Sequence, residues 1–319
     1  MLHNAPFNIN DCILETSVVR LSSYRNFFKI NNQDAYSVYK WNEEVSSRMM
    51  KLIAVIEITL RNRIHSAMSG YMKKTATGSQ ESNDWFNHLH LEKPAQDKIK
   101  NTLTDKRKRP ITPTPSANFV ISNMTFGFWP NILRAEKDMQ NKNLQWGSLF
   151  PSIFPGLPPK APGYWNKIKQ REHVISRCFA VGGLRNRIAH FEPIWKFSAE
   201  MEEILPRRGV VQKVITRSPV NKKEAVQRLN KEFKKALELL EWLSPSSYQD
   251  YMNSENKKSI EWLLSERAID SFINHKELKK ISFNKITKAR KIKGMVSSSQ
   301  GCSIVTIRKN TVGLLFLYP

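Results

Sequence analysis

Along most of this chain apolar residues recur at intervals of three and four, the spacing that puts them on one face of an α-helix. The pattern predicts a helix over 12–28, carried by Ile13, Leu14, Val18, Leu21, Tyr24 and Phe28. Asn31-Asn32-Gln33-Asp34 supplies a turn and an N-cap, and a long helix follows from Ala35 to about Met72 with no glycine before Gly70 and no proline. Further helices are expected within 85–103, where Pro94 opens a second segment, and over 166–189, 222–243 and 254–273. The helix over 166–189 should stop near His190 or Phe191, because Glu192 precedes Pro193 and a residue before proline disfavours the α region. Polar or Pro/Gly-rich stretches near 74–84, 104–116 and 146–165 read as loops. The end differs in kind: a basic helix over 279–293, then two short strands over 303–306 and 312–318. The fold class is all-α, with residues 1–10 frayed, a helical domain over 11–252 and a basic C-terminal extension over 253–319.

Composition adds that this pattern can close on a core. Of the 319 residues 40% are hydrophobic and 10% aromatic, which excludes a wholly disordered polycation. The apolar run Leu52–Ile56 falls far short of the roughly 20 residues a membrane span needs, and the first residues lack the pattern of a secretory signal, so no membrane partner is expected. Cys12, Cys178 and Cys302 form neither a disulfide framework nor a metal-binding spacing, which suits a reducing cytoplasm. His88 and His90 lack a neighbouring carboxylate or cysteine, and no metal site is assigned.

Charge supplies the first functional hint. Lys and Arg number 51 against 28 Asp and Glu, a net +23, which points to a polyanion and most simply to nucleic acid. Residues 271–319 hold ten of those cations and one acid, Glu277, a balance of +9; residues 1–270 carry the other +14. Lys106, Arg107, Lys108 and Arg109, together with Arg187 and the tail residues Lys288, Arg290 and Lys291, are the expected RNA-contacting cations. The blander reading is that such runs are solvated faces serving solubility.

Candidate chemistry lies in two related segments. Leu60-Arg61-Asn62-Arg63-Ile64-His65 and Leu184-Arg185-Asn186-Arg187-Ile188-Ala189-His190 share Leu-Arg-Asn-Arg-Ile ahead of a histidine. In the second, Asn186 and His190 are i and i+4 on one helical face, about 6 Å apart along the axis, and Arg185 can sweep into the same groove. Guanidinium, amide and imidazole together suit a phosphodiester: arginine binds phosphate oxygens bidentately and histidine moves a proton near neutral pH. Glu57, Arg61 and His65, at i, i+4 and i+8, share one face with Asn62 beside them, and form a candidate second half-site. The plain alternatives are a polar network closing a helix end for Arg185, Asn186 and His190, and an ion-paired stripe worth a few tenths of a kcal/mol per pair for the earlier segment.

The stretch Leu184 to Trp195 resembles the signature of Abi-like proteins, a branch of the HEPN superfamily. So do Tyr39-Lys40-Trp41-Asn42 with Glu57 to Asn62, the aromatic block Thr125-Phe126-Gly127-Phe128-Trp129, and Leu240 to Pro245, in the family's order over roughly 12–250. The resemblance implies an all-helical, HEPN-like bundle and, in active members, metal-independent endoribonuclease chemistry in phage-abortive infection or toxin–antitoxin systems. No cofactor is then expected, and the implied partners are an RNA substrate, an RNA or protein antitoxin, and a second copy in a homodimer. Arg185, Asn186 and His190 match the superfamily's arginine–polar–histidine motif, with Phe191 where many relatives carry a second histidine. Arg61 and His65 are one residue closer together than the usual motif. The alternative from another class is a non-catalytic RNA- or partner-binding helical module.

Overall fold

The computed structural model describes residues 8–73, 83–205 and 211–274 and, as backbone, 280–282, 302–307 and 310–316. Twelve α-helices stand among the described residues: α1 (Ile9–Thr16), α2 (Val18–Phe28), α3 (Asn32–Met72), α4 (Lys93–Leu103), α5 (Ala117–Ser122), α6 (Phe128–Ile132), α7 (Trp146–Ile153), α8 (Ile168–Ala189), α9 (Lys222–Leu243), α10 (Pro245–Met252), α11 (Glu255–Leu263) and α12 (Glu266–Ile273). Two small sheets accompany them. Strands β1 (Glu200–Met201) and β2 (Val214–Thr216) pair antiparallel; β4 (Cys302–Ile307) pairs parallel with β3 (Lys280–Ser282) and antiparallel with β5 (Asn310–Phe316). The molecule is mostly helical, as the periodicity predicts.

Helix α3 is the spine. Asn31 starts it reciprocally, its side-chain carbonyl accepting from the Asp34 amide at 2.9 Å while its own amide donates to the Asp34 carboxylate at 2.8 Å. Its 41 residues span about 60 Å at 1.5 Å per residue. Val38, Val45, Met49, Leu52, Ile56, Leu60, Ile64, Met68 and Met72 are wholly buried along it, at the spacing of a single apolar face. Helices α2, α7, α8, α9, α11 and α12 all pack against α3, so its burial comes from several partners rather than one.

Three expectations change in detail. The segment 12–28 breaks into α1 and α2 at Ser17, whose φ of 78° no helix accommodates. Residues 146–165 include a true helix, α7, despite Pro151 within it. Trp146, Leu149, Phe150 and Ile153 fall at i, i+3, i+4 and i+7 and bury against the core, which outweighs the lost backbone bond. The segment 254–273 divides at Leu264: the Trp41 indole donates to the Leu263 carbonyl (2.8 Å), the Asn230 amide to that of Leu264 (2.7 Å), and Ser265 caps α12. Carbonyls engaged from outside help end α11 there.

Helices α11 and α12 bury Ile260, Leu263, Ala268, Ile269 and Phe272 in the common core, so no break in packing marks the boundary expected at 252/253. Of the basic helix expected over 279–293, residues 280–282 are instead a strand, and the rest lie outside the described residues. Strands β4 and β5, paired antiparallel, cover most of the two short strands expected over 303–306 and 312–318. Residues 1–7 of the frayed start and the loop 74–82 also lie outside the described residues.

Candidate functional site

Helix α8 is fixed at its start, middle and end. In its first turn, the buried Arg171 guanidinium donates to the carbonyls of Trp165 (2.6 Å) and Asn166 (3.1 Å), pairs with Glu136, and lies over the Trp146 ring at 4.8 Å. Burial draws its pKa down while Glu136 opposes that. At the middle, Gly182 lets the helix backbone lie against the Phe126 ring; a Cβ there would sit 2.8 Å from it. Phe126, Phe128 and Trp129 are all buried, so the aromatic block is core that seats α8.

The helix ends on a Schellman motif. The Glu192 amide donates to the Arg187 carbonyl at 2.9 Å and the Phe191 amide to that of Ile188 at 3.0 Å, with Phe191 left-handed at φ 55°. Arg187 clamps the turn from inside: its guanidinium donates to the carbonyls of Pro193 and Lys196, pairs with Glu192 at 3.3 Å, and lies over the Phe197 ring. These bonds give Arg187 a structural task in the turn. Arg20 of α2 holds the turn from outside, donating to the Phe191 carbonyl at 3.1 Å. Beyond the turn, the buried Asn42 of α3 accepts the Ile194 amide at 2.9 Å, and the Trp195 ring packs on Phe27 and Phe28 with centroids 4.6 and 4.9 Å away.

Onto this fixed end the sequence places Arg185, Asn186 and His190. Asn186 and His190 are exposed, and the Asn186 carbonyl accepts the His190 backbone amide at 3.0 Å. Arg185, its side chain 32% exposed, pairs through Nε with the Glu57 carboxylate at 3.7 Å. No hydrogen bond from a described residue occupies its Nη1 and Nη2 or the His190 ring.

The Glu57 contact links the two arginine–histidine segments within one chain. Asn42 meets Ile194 and Glu57 meets Arg185, so α3 and α8 run antiparallel. His65 lies two turns beyond Glu57, whereas His190 lies more than one turn beyond Arg185 in the opposite direction. The two histidines are therefore about 20 Å apart along the helix axes at 1.5 Å per residue. Glu57 joins the Arg185 group; His65 does not. Its Nδ1 instead accepts the Trp85 indole N–H at 3.0 Å, and burial, then the neighbouring Arg61, lowers its pKa. Among the described residues Arg61 meets its neighbour Asn62, at 3.3 Å.

The other sequence-marked residues stand apart. Lys106, Arg107, Lys108 and Arg109 form an exposed turn: Asp105 accepts the backbone amides of Arg107 and Arg109 at 2.8 and 2.9 Å and pairs with the Arg109 guanidinium, and the Arg109 amide first, then that guanidinium, hold its carboxyl below the usual range. Lys288, Arg290 and Lys291 lie outside the described residues. His88 pairs with Asp84 at 3.6 Å.

Sequence reasoning passed over Arg20, Trp85 and an open groove. The groove, about 560 Å³, runs along α3 from Tyr39 to Ala54 and is walled on the other side by Ile188, Ala189 and Phe191. One turn beyond Ala54 stands Glu57, so the groove leads up to the Arg185 pair. Among the described residues no helix is long and apolar enough to cross a membrane.

Comparison with known proteins adds one match: the family described as Abi-like protein, over residues 12–196. That span holds α2 to α8, both arginine–histidine segments and the groove. No curated protein and no solved structure matches the chain.

Proposed function

The chain belongs to the Abi-like protein family, which points to phage defence by abortive infection, and on that premise we propose that it is a HEPN-type endoribonuclease, acting in abortive infection or as the toxin of a toxin–antitoxin pair. The carrying observation is the end of α8, where Asn186 and His190 are exposed and Arg185 pairs with Glu57 of α3.

In this mechanism the ribose 2′-oxygen attacks the adjacent phosphorus and the 5′-oxygen of the next nucleotide departs, leaving a 2′,3′-cyclic phosphate. The nucleophile belongs to the RNA, so the protein has to supply proton transfer and charge neutralisation, and no step requires a metal. His190, open to solvent, moves the proton as general base or acid. Arg185, held by Glu57 through Nε, presents Nη1 and Nη2 to the non-bridging oxygens as negative charge builds on them. Asn186 orients the phosphate or the histidine. The net +14 on residues 1–270 attracts RNA to the protein.

The direct test is incubation with RNA in EDTA and mapping of the product ends. Cyclic phosphate ends, and a rate about 10²–10³-fold lower for Arg185→Ala, are expected from the loss of one charge-stabilising group. RNA binding without turnover, unaffected by Arg185→Ala, would instead identify a non-catalytic binding module.

A further inference from the structure

Phe191 is hard to explain by folding alone. Position C′ of a Schellman motif is normally glycine or asparagine, because a side chain in the left-handed region is strained. Here a phenylalanine takes that position at φ 55°, with 72% of it exposed. Its ring therefore gains little from burial while its backbone bears the strain. The conformation persists because the turn is fixed independently, by Arg187 from within and Arg20 from without. The outcome is an aromatic ring displayed next to His190 at the wall of the groove.

The groove itself suits a flat, largely apolar guest with polar edges. Tyr39, Met50, Ala54 and Ile188 line it alongside the Ser46 and Ser47 hydroxyls. It measures about 22 Å from Tyr39 to Ala54 at helical rise, the reach of a few nucleotides rather than of one small molecule. Its charged groups are Lys51 and Glu43 in the lining, Glu43 being paired with Lys40, and Arg185 just beyond.

We propose that Phe191 and this groove form a base-binding subsite, in which an unpaired nucleobase of the RNA stacks on the Phe191 ring while its phosphate rests against Arg185. The assignment rests on the nuclease reading for the placing of the phosphate. A base inside a duplex has no free face to offer the ring, so the subsite selects unpaired RNA.

The test uses the full-length protein and a short 2′-O-methyl RNA carrying 2-aminopurine, which cannot be cut by 2′-oxygen attack and whose fluorescence falls on stacking. Wild-type protein should quench it and bind it better than a duplex of the same sequence. Phe191→Gly suits the left-handed backbone and should melt no lower than wild type. It should lose the quenching and bind the unpaired RNA roughly 5- to 100-fold more weakly, with duplex binding unchanged; stacking of one base accounts for a loss of that size. Phe191→Trp should keep the quenching, and so should His190→Ala, which separates base capture from chemistry. Unchanged quenching by Phe191→Gly, or equal loss for both RNAs, overturns the subsite. A changed sedimentation of RNA-free Phe191→Gly with RNA binding intact also overturns it, and makes this face a protein contact. Cleavage of ordinary RNA that ignores Phe191 would remove the subsite and leave the nuclease reading standing. Quenching without any cleavage would do the reverse.

Discussion

Arg187 and Arg185 are two residues apart and have opposite fates. Both are arginines in an arginine–histidine segment, and the sequence alone offers both as phosphate ligands. The helix turns Arg187 inward onto the Pro193 and Lys196 carbonyls and leaves Arg185 at the surface against Glu57. Substituting Arg187 by alanine should destabilise the protein by about 1–3 kcal/mol, because it strips partners from carbonyls at the helix end. Urea unfolding should record that loss, with the remaining folded fraction still binding RNA. The arginine–amide–histidine cluster was legible because helical spacing alone brings Asn186 and His190 to one face. Neither Arg20 nor Trp85 was legible, because their partners lie 171 and 20 residues away and no local pattern encodes such pairings.

At the scale of elements, the periodicity located the long helices because each carries an apolar stripe: α3 and α9 fall within a few residues of expectation at both ends. Short elements escaped for the opposite reason. Helix α7 holds a proline and a glycine, and the break between α11 and α12 depends on the Trp41 indole reaching a carbonyl 222 residues away. The seating of α8 on the aromatic block is equally tertiary. Gly182→Ala would drive a methyl into the Phe126 ring, and overpacking of this kind costs about 1–3 kcal/mol. Chemical denaturation should show that loss, and because α8 carries Arg185 and His190, activity should fall with it.

Across the molecule, an ionic network joins α8 to α9 through the chain at 200–203. The side chain of Glu200 is nearly buried and pairs with Arg228, Lys231 and Lys235 at 2.7–2.8 Å. Glu203 pairs with Arg177 at 2.8 Å, His173 at 3.1 Å and Lys235 at 3.2 Å. Burial works against these carboxylates, but hydrogen bonds and cations prevail, holding Glu200 down to about 2 and Glu203 well below the usual range. A carboxylate whose pKa is depressed on folding stabilises the fold above its unfolded pKa, here near 4.5, and loses that contribution as pH falls through the folded value. The melting temperature should therefore fall between about pH 4.5 and 2. Glu200→Gln should melt lower at neutral pH and show a shallower acid decline, both measurable by calorimetry.

The +23 also has a distribution. Helix α12 packs into the core, so a truncation that tests the basic end is cut after residue 274. Removing 275–319 should leave cleavage chemistry intact while flattening the salt dependence of RNA binding, by about 0.7 in log–log slope for each phosphate that the tail neutralises. Loss of turnover in the truncated chain would place part of the site in the tail.

The central claim is that Arg185 and His190 cut RNA at the end of α8. Its most direct test is the cleavage rate of His190→Ala in EDTA, measured beside its RNA affinity. The account predicts a rate about 10²–10⁴-fold below wild type, the ordinary worth of a general acid or base, at unchanged affinity. Undiminished cleavage by His190→Ala would contradict it.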